Sequence, residues 1–172
     1  MKKNKVKGIK KLNKAISAPL IKNFGISKAI CSDDFQYSFA NETIYFKITE
    51  GTIEDNLFNE FIAERFGLEV SNTFIISMLH EVGHHKANDE IEGAIYDFCI
   101  AEKERIEEEM REAVTYEDVK ALEFQYFNLP DEIMATQWAV NYIKNHPKKV
   151  TEMWAIWNKA FKKFYKKNGV EE

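Results

Sequence analysis

Two cysteines, three prolines and seven glycines are all that these 172 residues contain of the types that staple, break or loosen a chain. Cys31 and Cys99 form no CxxC pair, so two reduced, partly buried thiols are expected rather than a disulfide or a thiolate metal cage. No glycine-rich phosphate loop, low-complexity linker or internal repeat is present, so neither a P-loop nor a repeat architecture is indicated. Long apolar runs are missing too. None reaches the length of about 18 residues that a spanning helix needs, and Met1-Lys2-Lys3-Asn4-Lys5 is followed by neither an apolar h-region nor a small-residue cleavage site. The expectation is a cytoplasmic protein with no membrane partner.

Charge of one sign is likewise lacking, since the formal net charge is only −4. Its distribution is uneven. The first fourteen residues carry seven lysines and no acid, Glu102 to Asp118 is predominantly acidic, and Lys144 to Lys167 is again lysine-rich. A basic arm can touch nucleic acid or an acidic surface, but no base-reading or stacking motif accompanies this one. Residues 1–14 therefore read as a solvated arm, and nucleic acid is not an expected partner.

What is present suits one core. An apolar content of 45% with 13% aromatics supports a single domain over 1–172. A helical pattern after Lys14 is expected to break at Pro19 and close near Gly25. Phe35, Tyr37 and Phe39, then Ile44, Phe46 and Ile48, alternate with polar neighbours across Asn41-Glu42 and predict a hairpin. Helices are predicted over Thr52–Phe66, Thr73–Lys86, Asp89 to about Glu112, Glu117–Tyr126, Pro130–Asn145 and Pro147–Lys167. The fold class is α+β, predominantly helical, with one small antiparallel sheet.

Histidine is scarce as well, at four residues, yet two of them stand in His80-Glu81-Val82-Gly83-His84. On a helix a spacing of four sets both imidazoles on one face, one turn apart, within reach of a single Zn²⁺. Glu81 can then address water at the metal. Phe74, Ile75, Met78, Leu79 and Val82 form the apolar stripe of this segment, with Ser77, His80, Glu81 and His84 opposite and Ser71 or Asn72 as its N-cap. A third ligand must come from elsewhere, and Glu132 is the first candidate. It shares a helix face with Ala135, Thr136 and Ala139; the alanines permit close approach to the motif helix, and Thr136 lies one turn from Glu132 as its hydrogen-bond partner. Asn128 is the expected cap of that helix. Asp89, Glu90, Glu92, Asp97 and Asp131 are rivals, the first four at the start of a charged helix where solvated carboxylates are the plainer reading.

The HExxH helix followed by Glu132-x-x-Ala135-Thr136-x-x-Ala139 resembles the gluzincin metallopeptidases, and among them the small ImmA/IrrE-like zincins of bacteria and mobile elements. That resemblance implies a zincin-like fold with a short sheet beside the motif helix, a cytosolic location and a protein or peptide substrate. Two departures stand out: Thr136 replaces a commoner aspartate or asparagine, and the stretch between the motifs is longer and more charged. The expected chemistry is peptide hydrolysis with His80, His84 and Glu132 as zinc ligands and Glu81 as general base. Tyr142 is the candidate for steadying the oxyanion, with His85 and His146 behind it, and the hairpin is the candidate shelf for an extended substrate. Two other classes stay open: a non-catalytic metal-binding interaction module of a mobile element, and a helical nucleic-acid-binding protein.

Overall fold

The computed structural model describes residues 8–49, 51–87 and 93–169. In chain order the elements are α1 (Ile9–Phe24), β1 (Lys28–Cys31), β2 (Gln36–Ser38), β3 (Thr43–Phe46), α2 (Ile53–Phe66), α3 (Thr73–Ala87), α4 (Ala94–Glu112), α5 (Tyr116–Phe127), α6 (Pro130–Asn145) and α7 (Pro147–Asn168). They fall into two compact units, Met1–Ile48 with Asn145–Glu172, and Thr49–Lys144. Each has its own core. Among the described residues no helix is long and apolar enough to cross a membrane.

In the first unit α1 runs through Pro19 instead of breaking there. An interior proline forfeits one backbone hydrogen bond and costs about 3 kcal/mol. Pro19 is itself buried among the core residues Ile16 and Leu20, so the helix recovers that cost in packing. Gly25 ends α1 in the left-handed conformation, its N–H donating to Ile21 O.

The sheet is mixed, which corrects the expected antiparallel one: β3 is central, antiparallel to β2 and parallel to β1. The hairpin forms with Tyr37 opposite Ile44, joined by a 3-10 turn at Phe39–Asn41 and closed by Glu42 at φ +47. Helix α1 covers the outer edge of β1. Ala29 N–H donates to Ser17 Oγ at 2.7 Å and Cys31 N–H to Asn13 Oδ1 at 3.1 Å, so side chains one turn apart satisfy a strand edge that would otherwise be open to pairing. Trp157 of α7 is fully buried and donates its indole N–H to Ile16 O at 3.1 Å.

The described residues of the second unit form helices joined by short connections. Thr52 caps α2 in a reciprocal capping box with Asp55, and Asn72 caps α3 by accepting from Ile75 N–H at 3.0 Å. Phe58 and Phe61 of α2 meet Phe127 of α5 at 5.2 and 5.3 Å between centroids. Ile106, Leu122 and Leu129 form a second cluster joining α4 and α5. Asn128 turned out to close α5 rather than cap α6: its side chain donates to Phe124 O, and the first bond of α6 runs from Ile133 N–H to Leu129 O. The motif helix α3 is the centre of this unit, buried at every position from Ile76 to Gly83.

Candidate metal centre

Residues His80 and His84 of α3 face Glu132 of α6 because the two helices touch backbone to backbone. A Cβ placed on Gly83 would lie 2.3 Å from Ala135 O and 2.7 Å from Ala135 Cα, so only glycine fits at that position. Ala135 and Ala139 are fully buried, as the small-residue face of α6 required. The contact sits one residue from His84 and three from Glu132, and thereby fixes the separation of the donor atoms.

Those atoms converge. His80 Nε2 lies 3.0 Å from Glu132 Oε2 and 3.1 Å from His84 Nε2, while His84 Nε2 is 3.5 Å from Glu132 Oε2. Three ligands tetrahedrally placed about 2.0 to 2.1 Å from zinc would stand about 3.3 Å apart, which matches this triangle. Its chemistry matches as well. Two imidazole nitrogens and a carboxylate oxygen are all lone-pair bearers, and at such distances they need a shared cation or proton between them. The residues present therefore fit a divalent metal. His80, His84 and Glu132 form the group able to hold one among the described residues.

Further contacts surround these donors. His80 Nδ1 is 3.0 Å from Thr136 Oγ1 in a buried pair; the tautomer that donates Nδ1–H to this hydroxyl leaves the Nε2 lone pair to the cluster. Thr136 thus belongs to the site through His80, where the sequence suggested Glu132 as its partner. Phe58 packs edge-on to the His80 ring at 5.3 Å, and the His84 ring meets it at 4.7 Å. Glu132 is only 4% exposed. Burial pushes its carboxyl upward, but His84 and His80 beside it outweigh that and hold it well below the ordinary carboxylate range.

Compared with known families, curated proteins and solved structures, the chain matches none.

Glu81 is 6% exposed and lies on α3 next to His80. It contributes, with Glu132, to the field around Tyr126, whose phenol is pushed strongly upward by burial and then by those carboxylates. Lys103 of α4 hydrogen-bonds Glu132 Oε1 and Asp131 Oδ2, and its ammonium sits 5.4 Å over the Tyr126 ring. Burial pulls Lys103 down, yet Glu132 and Asp131 push it up to about 12. Neither Lys103 nor Tyr126 was foreseen. The signal for Lys103 is its register: Cys99, Lys103, Ile106 and Met110 follow a four-three-four spacing, so a lysine occupies a place on the packed stripe of an otherwise charged helix.

The other described carboxylates and histidines are not among the donors of that group. Tyr142 is ten residues beyond Glu132, about 15 Å along α6 by helical rise, and stacks on Trp138 at 5.1 Å. His146 occupies the N-cap of α7 and makes no side-chain cap bond. His85 is half-buried near the end of α3. Asp97 is exposed and Asp131 is paired with Lys103. Asp89, Glu90 and Glu92 lie outside the described residues, as do residues 1–7 of the expected basic arm, whereas 9–14 form the first turns of α1 with Leu12 buried.

Proposed function

We propose that this protein is a zinc-dependent metallopeptidase of the gluzincin kind, cytoplasmic and similar to the ImmA/IrrE-like zincins, acting on a protein or peptide. The observation that carries the reading is the triangle of His80 Nε2, His84 Nε2 and Glu132 Oε2, with the Glu81 carboxylate on the same helix next to His80. A metal ion in such a set supplies a Lewis acid that polarises a carbonyl and makes water acidic. His80, His84 and Glu132 would hold that ion, and three protein donors would leave it open to reactants. His80 and His84 present neutral nitrogens from one helix face, and Glu132 supplies the single negative charge. Glu81 takes the proton of the attacking water on its carboxylate and hands it to the leaving amine.

One observation favours a second reading. Both His80 and Glu132 are more than nine-tenths buried, as in a metal site that serves structure, which would suit a non-catalytic interaction module. Glu81 separates the two readings, because a structural site requires ligands and no neighbouring base. Glu81→Gln is expected to retain fold and metal while hydrolysis of a proteome-derived peptide library falls by at least ~10²-fold. Identical cleavage patterns from wild type and variant would remove Glu81 from the chemistry; no cleavage by either protein, with metal bound, would favour the structural reading.

A further inference from the structure

Resting on the metal reading above, we propose that Lys103 is a positioning residue that keeps Glu132 a one-oxygen ligand. The two carboxylate oxygens of Glu132 have separate partners. Oε2 meets both imidazoles, at 3.0 Å and 3.5 Å, whereas Oε1 accepts from the Lys103 ammonium. A free carboxylate beside a divalent cation can rotate to offer both oxygens, which would occupy the position that a reactant needs. The ammonium opposes that rotation by holding Oε1 in a charge-assisted bond.

The ammonium is itself fixed from several sides. Asp131 Oδ2 accepts a second bond from it, the Tyr126 ring lies beneath it at 5.4 Å, and the side chain is only 18% exposed. Its flanking positions on α4, Cys99 and Ile106, are each 1% exposed, so the stem is anchored in the packed face of the helix. A surface ion pair would have none of these constraints and would be free to let Glu132 turn. Asp131 and Glu132 are consecutive in the first turn of α6, so one lysine grips both and sets that turn against α4.

A simple tie between α4 and α6 would show the same contacts, so the test must read coordination. Wild type, Lys103→Met and Lys103→Arg are loaded with Co²⁺, their visible absorption is recorded, and affinity is measured by competition with a chromophoric chelator. Thermal unfolding of the metal-free proteins is followed alongside. Lys103→Met is expected to show weaker, shifted bands as Oε1 joins the metal and coordination rises, with affinity altered by about tenfold. Lys103→Arg, which keeps a charged donor, is expected to restore the wild-type spectrum. Where Lys103→Met does not fold, the neutral Lys103→Gln is expected to show the same weakening. Neutral variants that lose metal-free stability but keep the wild-type spectrum would overturn the proposal and leave Lys103 a structural tie. Failure of wild type to take up Co²⁺ would instead overturn the metal reading, and this assignment with it.

Discussion

Thr136 carries information that its neighbours do not, because it bonds the far nitrogen of His80 and so selects which nitrogen faces the cluster. Thr136→Val keeps the shape and removes the hydroxyl; it is expected to weaken metal binding by ~10 to 100-fold while Thr136→Ser stays close to wild type, as read by chelator competition. Equal affinity in all three proteins would assign Thr136 to packing alone. Glu132→Ala is expected to lower affinity sharply, and Asp97→Ala to leave it unchanged, since Asp97 is exposed and acts only through screened attraction. The convergence of His80, His84 and Glu132 was legible in the sequence, because HExxH on a helix and a glutamate among small residues are local patterns. Lys103 was not. The solvated reading of the carboxylates at the start of its helix singles out no lysine, and only its register against Cys99 and Ile106 gives it away.

At the scale of elements, the close approach of α3 and α6 decides whether the three donor side chains meet. Gly83→Ala would drive a methyl group into the backbone of Ala135, and because backbone cannot yield as a flexible side chain does, the helices must separate. The expected result is a loss of about 1 to 3 kcal/mol in urea unfolding together with weakened metal binding. Stability and affinity both equal to wild type would mean that the contact is not the one that sets the site. The boundaries of α6 and α2 were close to legible because proline, a capping box and a C-terminal glycine mark them. Strand β1 was not foreseen. Lys28–Cys31 is short, pairs in parallel with β3, the second strand of the hairpin, and places its outer hydrogen bonds on Ser17 and Asn13, all of which are non-local. Pro19 misled for the complementary reason: a local breaker was outweighed by burial.

For the whole molecule, residues of Thr49–Lys144 hold the entire metal group, and the sheet and α7 belong to the other unit. Apolar periodicity along the chain predicts a mostly helical α+β architecture, but it carries no signal for how contacts divide, which depends on pairings between distant segments. The charge pattern also has a place at this scale, since the acidic α4 and the lysine-rich α7 fall in different units. The claim on which everything else depends is that the triangle of two imidazoles and a carboxylate binds metal. Elemental analysis of protein purified without chelator tests it most directly, on wild type and on His80→Ala and His84→Ala whose folding has been checked by circular dichroism. One zinc per chain in the wild type and none in either variant is the expected result; full zinc in both variants, or none in the wild type even after incubation with micromolar zinc, would contradict it.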